Sequence, residues 1–336
     1  MNNKDNTIIV TGGLGFIGSH FIELVLEKGF NVVNIDKVTY ASDPNIDGAF
    51  KRKYPTQYTF IKKDINDLKE LPDAKYIVHF AAESHVDNSI RDGSVFIKSN
   101  VLGTQNLLSI IAQKNGSISS PQAMPEFIHI STDEVFGDRE EGFFKEDDIM
   151  HPSNPYAASK AAAEMVVMAY GRTYGIPYKI TRTTNNYGSR QHPEKLIPRS
   201  IVSILKNEPI PVHGTGEQVR NWIHVKDNVR AIYEVMIKGK LGEAYHIASP
   251  EELSVNQIVQ TILDAFEKPW NVRTVQYVAD RSGQDIRYAL DSSKIHALGW
   301  VAQDSFREHT RKLIKKYAGQ LQRKNLLQNI LMRVTH

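Results

Sequence analysis

The sequence predicts an α/β protein: a doubly wound parallel sheet with a smaller, interleaved C-terminal substrate domain. Three observations predict it. Short apolar runs recur from Thr7 to Ala248. Most of them lack apolar/polar alternation, as strands covered on both faces do. Helical patterns lie between them, and alternating strands and helices build a sheet flanked by helices.

The runs are Thr7–Thr11, Asn31–Ile35, Tyr58–Ile61, Tyr76–Phe80, Phe127–Ile130, Tyr178–Arg182 and Ala244–Ala248. Helical spacing covers Ile17–Lys28, Val95–Asn115 and Tyr156–Tyr174. After about Thr184 the pattern loosens, and proline, glycine and histidine gather in Gly188–Pro198 and Pro209–Gly216. Helical segments return at Val225–Lys238 and Val255–Phe266, and Ala244–Ala248 is expected to rejoin the first sheet. The expected division is a cofactor domain over 1–184 that also takes 219–249, a substrate domain over 185–218 and 250–318, and a tail over 319–336. The tail is rich in Lys and Arg with leucines at roughly helical spacing. It reads as a solvated terminal helix or frayed end rather than a partner-binding helix.

With 336 residues and 41% hydrophobic content, the chain can bury a large core. The net charge is only +3 and the charges are mixed, so no nucleic-acid partner is expected. The absence of cysteine excludes disulfides, thiolate zinc sites and cysteine nucleophiles, and no metal is expected. Met1–Asn6 is polar and runs straight into a strand pattern, which argues against a signal peptide. No apolar run approaches the roughly 20 residues of a membrane span. These features give the expectation of a soluble, cytoplasmic protein.

Gly12, Gly15 and Gly18 lie between the first strand and the first helix. A pyrophosphate at a helix N-terminus needs close backbone approach, which side chains would block. The spacing is GxxGxxG, one residue longer than GxGxxG. Asp36 ends the second strand about 20 residues on, where a carboxylate can accept bonds from both ribose hydroxyls. It also repels a 2′-phosphate, so NAD is expected over NADP, with Lys37 beside it acting the other way.

Ser131-Thr132-Asp133-Glu134 follows the fifth apolar run, and Tyr156 and Lys160 share one face of the next helix. A tyrosine acting as base near neutral pH needs a shift of about three pKa units, roughly 4 kcal/mol. A nearby ammonium and a cationic nicotinamide could supply it. Asp133 and Glu134 add what simple oxidoreduction does not need: two carboxyl groups that can be driven to different protonation states, one acid and one base. Elimination of water requires that division. In a regular strand Thr132 and Glu134 share a face and Asp133 does not, so the strand must end or bend near Asp133.

On these residues the chain resembles the extended short-chain dehydrogenase/reductase superfamily, whose fold is Rossmann-like, and within it the nucleoside-diphosphate-sugar 4,6-dehydratases. The resemblance runs from Thr7 to about Tyr317. It is carried by TGGLGFIGSHF (11–21), DKVTYAS (36–42), HFAAESHVDNSI (79–90), ISTDEVFGD (130–138), NPYAASKAAAE (154–164), NNYG (185–188), PEKLIP (193–198) and RSGQDIRYALD (281–291). It implies tightly bound NAD, held by Gly12, Gly15, Phe16, Ile17, Gly18, Asp36, Lys37, Asp64, Ile65, Ala81, Ala82, Ser84, Tyr156 and Lys160. It implies that Tyr156, assisted by Lys160 and steadied by Thr132, takes the C4 hydroxyl proton while hydride leaves C4. Glu134 then takes the C5 proton, Asp133 protonates the departing C6 hydroxyl, and the hydride returns to C6. His85, Asn186, Lys195, Arg220 and Arg281 would contact the sugar, diphosphate or nucleoside. His85 reads equally as a buried structural histidine.

The implied substrate is dTDP-glucose, because residues 36–40 are most similar to that branch. Phe136, Thr183-Thr184, His213 and Gln284 depart from its pattern, and 164–182 is similar to UDP-glucose 4,6-dehydratases as well. The competing readings are a dehydratase of a UDP- or GDP-hexose, a C4 epimerase, and a non-catalytic NAD-binding regulatory protein. The resemblance also implies a homodimer formed through Val95–Asn115 and Tyr156–Tyr174.

Overall fold

Every residue of the first strand, β1 (Thr7–Thr11), is buried, because helices cover both faces of the sheet around it. The computed structural model describes residues 6–116, 124–280 and 285–319. The strands after β1 are β2 (Asn31–Asp36), β3 (Tyr58–Lys62), β4 (Tyr76–His79), β5 (Glu126–Thr132), β6 (Tyr178–Thr183), β7 (Asn185–Tyr187), β8 (Ile210–His213), β9 (Val219–His224), β10 (Ala244–Ile247), β11 (Glu252–Ser254) and β12 (Val275–Val278). Seven form one parallel sheet in the order β3-β2-β1-β4-β5-β6-β10. These are the seven apolar runs read from the sequence.

The helices Phe16–Glu27 and Val225–Lys238 cover one face of this sheet, sharing a core with Ile8, Val10, Ile128 and Ile130. Helices Gly103–Gly116 and Pro155–Tyr174 cover the other, over Ile9, Ile77 and Phe127. Strand order reverses between β2-β1 and β4, and ligands bind α/β sheets outside the carboxyl ends at such a switch point. The helix read over Val95–Asn115 is continuous but widens into a π-turn at Ile97–Leu102. There Thr104 Oγ1 donates to the Asn100 carbonyl, a back-bond that competes with the regular ladder.

The smaller part contains β11-β9-β7 and the pair β12-β8 around Tyr187, Ile201, Trp222 and Ile262. β9 pairs with β7 and β11. β9 straddles two cores: Trp222 faces the smaller one and Ile223 the main one. Among the described residues no helix is long and apolar enough to cross a membrane.

Candidate active site

The turn after β1 is built for close approach. Gly12 has φ +71°, and a Cβ there would lie 2.7 Å from the backbone of Ala81. A Cβ on Gly18 would lie 2.5 Å from the Gly12 carbonyl oxygen. The helix that follows has no acidic residue in its first turn, so its N-terminus keeps its full attraction for an anion. Asp36 organises the turn as well as facing the cleft: Oδ2 accepts from Leu14 N at 3.0 Å and Oδ1 from Val38 N at 2.7 Å. Carboxylate oxygens have lone pairs left for a ribose. Lys37 lies between Asp64 and Glu83, at 3.6 and 3.8 Å, which offsets its charge beside Asp36.

A cleft of about 320 Å³ opens over this turn. Gly12, Gly15, Phe16, Ile17, Gly18, Asp36, Lys37, Asp64, Ile65, Ala81, Ala82 and Ser84 line it. So do Thr132, Asp133, Glu134, Tyr156 and Lys160. The side-chain-free glycine backbone, the helix N-terminus and the acidic strand end fit a dinucleotide. The bend required near Asp133 is present. β5 ends at Thr132, and Asp133–Phe136 forms a 3₁₀ turn. Thr132 Oγ1 accepts from Glu134 N at 3.3 Å and donates to Asp133 Oδ1 at 3.0 Å.

Pro155 opens the helix that carries Tyr156 and Lys160, and Asn154 caps it through Ala157 N at 2.9 Å. A buried chain of hydrogen bonds ties this helix to the glycine turn. Thr104 Oγ1 gives its proton to the Asn100 carbonyl, so it accepts from His79 Nε2 at 2.9 Å. His79 Nδ1 is then the acceptor for Thr11 Oγ1 at 2.7 Å. Burial, and then the charge of Lys160, holds His79 neutral by lowering its pKa to about 3. Asn100 Nδ2 donates to Ser159 Oγ, which donates to the Tyr156 carbonyl.

Electrostatics separate the two carboxyl groups. Burial, then the charge of Glu134, pushes Asp133 up to about 8. Burial also raises Glu134, but a hydrogen bond from Asn154 and the charges of Arg220 and Lys195 oppose it. Burial pulls Lys160 down to about 8, with the Glu164 charge opposing. A nearby ammonium and a cationic nicotinamide are the two expected sources of a lowered pKa at Tyr156. Burial first, then the carboxylates Glu134 and Asp133, hold the phenol well above its ordinary value. It needs further positive charge beside it to lose its proton, which fits an oxidised nicotinamide.

A second cavity of about 230 Å³ adjoins the first, and Glu134, Asn186 and Lys195 line both. His85 and Arg220 line the second. His85 Nε2 lies 3.5 Å from Glu194, and Lys195 Nζ donates to the Ser84 carbonyl at 3.2 Å. Arg220 was read as a diphosphate ligand. Its guanidinium donates to the carbonyls of Val219, Asp285 and Ile286 and stacks on Tyr288, which among the described residues leaves the Nε–H and one Nη2–H. Arg281 and Gln284 lie outside the described residues.

Sequence reasoning missed Asn154, Asp285 and Tyr288 on this wall. Tyr288 OH and Ser153 Oγ both donate to the buried Asp285 carboxylate. The Asn-Pro before Tyr156 is a legible cap signal. Asp285 and Tyr288 lie in the 281–291 segment that carries the resemblance, but no local pattern assigns their contacts.

The family described as GDP-mannose 4,6 dehydratase matches residues 9–313. The low-salt glycan biosynthesis protein Agl12 of Haloferax volcanii is 42% identical over 93% of this chain and 98% of its own. The dTDP-glucose 4,6-dehydratase of Haemophilus influenzae is 42% identical over 92% and 97%. Among solved structures, DesIV, a dTDP-glucose 4,6-dehydratase from Streptomyces venezuelae with NAD bound, superposes with a TM-score of 0.87 at 39% identity over 93% and 97%. A UDP-glucose 4-epimerase from Thermotoga maritima superposes with a TM-score of 0.83 at 28% identity over 94% and 99%. The chain therefore belongs to the GDP-mannose 4,6-dehydratase family, the nucleotide-sugar 4,6-dehydratases of the extended short-chain dehydrogenase/reductases.

Proposed function

We propose that this protein is an NAD-dependent dTDP-glucose 4,6-dehydratase. One observation carries the reading: Asp133 and Glu134 sit on a tight turn beside Tyr156 and Lys160, where the cofactor cleft meets the second cavity. When bound, NAD supplies the hydride acceptor for C4 and the hydride donor for C6. Tyr156 takes the C4 hydroxyl proton, with Lys160 beside it and Thr132 steadying the hydroxyl. The C4 ketone acidifies the C5 hydrogen, and Glu134 removes it. Asp133, whose environment favours its protonated form, protonates the C6 hydroxyl as it leaves. Residues 1–184 with 219–249 form the cofactor unit, and 185–218 with 250–318 form the nucleotide-sugar unit. His85, Asn186, Lys195 and Arg220 line the sugar and diphosphate path, and Arg281 belongs to the same set.

A C4 epimerase needs Tyr156 and Lys160 but not the acidic pair. A dehydratase of a UDP- or GDP-hexose is the second reading, favoured by His213 in the wall of the outer cavity. Offering dTDP-glucose, UDP-glucose, UDP-N-acetylglucosamine and GDP-sugars, with the 4-keto-6-deoxy product detected by mass, decides between them. Deuterium placed at substrate C4 is expected at product C6. Label lost to solvent or retained at C4 overturns the dehydratase scheme.

Two copies of the chain are proposed to pair through Val95–Asn115 and Tyr156–Tyr174. Val95, Ile97, Leu102, Met165 and Met168 are exposed there, which supports a covered apolar face. Light scattering should give twice the chain mass, and Met168→Glu should shift it toward the monomer.

A further inference from the structure

Glu134 Oε2 accepts a hydrogen bond from Asn154 Nδ2 at 3.3 Å. Asn154 is buried, and its Oδ1 accepts from Ala157 N at 2.9 Å as the cap of the Tyr156 helix. The two contacts fix the amide. A flipped side chain would set an oxygen against the carboxylate and an NH₂ against a backbone N–H. One side chain thus starts the helix that carries Tyr156 and Lys160 and also reaches the turn that carries Glu134.

We propose that Asn154 is a positioning residue for the elimination step: it holds the Glu134 carboxylate toward C5 and keeps it in register with the Tyr156 helix. The inference rests on the reading of Glu134 as the base. Serine and aspartate cap helices about as well as asparagine. Neither replaces it here. A serine side chain is one atom shorter, and the contact to Glu134 is already 3.3 Å. An aspartate has no donor and sets a second carboxylate against Glu134.

The groups around Glu134 leave room for this role. Its own turn contributes Asp133, the Pro155–Tyr174 helix Tyr156, β9 Arg220, the segment before the Leu196–Leu205 helix Lys195, and the C-terminal segment Asp285 and Tyr288. Arg220 gives three donors to carbonyls, and Asp285 is held by Ser153 and Tyr288. Asn154 bonds the carboxylate directly.

The test compares Asn154→Ser, Asn154→Asp and Glu134→Gln in the NAD-loaded enzyme, with dTDP-glucose or whichever nucleotide sugar is turned over. Four quantities are read: Tm, hydride transfer from C4 by NADH absorbance, exchange of the C5 hydrogen with D₂O, and the acidic limb of kcat against pH. Asn154→Ser is expected to keep its Tm and its hydride transfer but to exchange C5 about 10- to 100-fold more slowly, as for loss of a hydrogen bond to a charged group. Its acidic limb should move up by about one pH unit, because removing a donor from a carboxylate favours its protonated form. Asn154→Asp should keep the cap and exchange more slowly still. Glu134→Gln should abolish exchange. If Glu134→Gln exchanges normally, the reading of Glu134 as base fails and this inference fails with it. If only Asn154→Ser exchanges normally and keeps its pH limb, the inference alone is overturned. Equal slowing of hydride transfer and C5 exchange, or loss of Tm in both Asn154 variants, reduces Asn154 to a cap and overturns it too.

Discussion

Lys160 Nζ donates a 2.6 Å hydrogen bond to the carbonyl oxygen of Ile130, so the helix of Tyr156 is fastened to the strand that ends at Thr132. β4 ends at His79, opposite His129, so past that register one edge of β5 has no strand partner. The fastening sets the spacing between a phenol on a helix and a hydroxyl on a strand.

Lys160→Met should therefore lower turnover by roughly 10²–10⁴, the range for a group that supports acid–base transfer. Lys160→Arg should not rescue it, because a guanidinium is larger and the site is buried. Steady-state rates on folded, NAD-loaded protein check this.

Asp133 gives a pH signature in stability. Its folded pKa, about 8, lies above its ordinary value of 3.8. The folded state then binds the extra proton between those values, so this group's contribution falls as pH rises from about 4 to 8 and is level above. Asp133→Asn removes that penalty. Its Tm should exceed the parent's at pH 8, by about 2–4 °C for each kcal/mol relieved. The gap should close toward pH 4. A gap that widens toward pH 4 reverses the sign and refutes the assignment.

Gly12→Ala places a methyl 2.7 Å from the Ala81 backbone at φ +71°. It should destabilise the protein by about 1–3 kcal/mol and reduce NAD retention. Calorimetry and the absorbance of cofactor released on denaturation read the two effects.

Behind the turn of Asp133 and Glu134, Arg182 forks onto Glu164 at 2.8–3.2 Å, both buried, with the Phe136 ring 4.9 Å from the guanidinium. Arg182→Leu alone strands a buried carboxylate and should cost about 3–5 kcal/mol. Arg182→Leu with Glu164→Leu should cost less than either change alone, and denaturant titration of the three variants tests that ordering.

The sheet was legible because burial on both faces leaves unbroken apolar runs such as Ile8-Ile9-Val10 and Tyr76-Ile77-Val78. The glycine turn and the Tyr156–Lys160 spacing were legible because backbone approach and helical pitch act within a few residues. The convergence of Asp133 with Thr132 and Glu134 was legible only as a requirement, since the bend depends on where β5 loses its neighbours. The commitments of Arg220 to carbonyls at 285 and 286, and of Asn154 to a carboxylate 20 residues back, are contacts between distant segments and leave no local pattern.

β10 completes the seven-stranded sheet by pairing with β6, yet the whole of 184–243 lies between them in the chain. During synthesis β6 must wait for that segment before its outer edge is covered. Unpaired strand edges are templates for association with other chains. A chain ending before Ala244 would keep the turn of Asp133 and Glu134 but expose β6, and the expected result is aggregation rather than a smaller working enzyme.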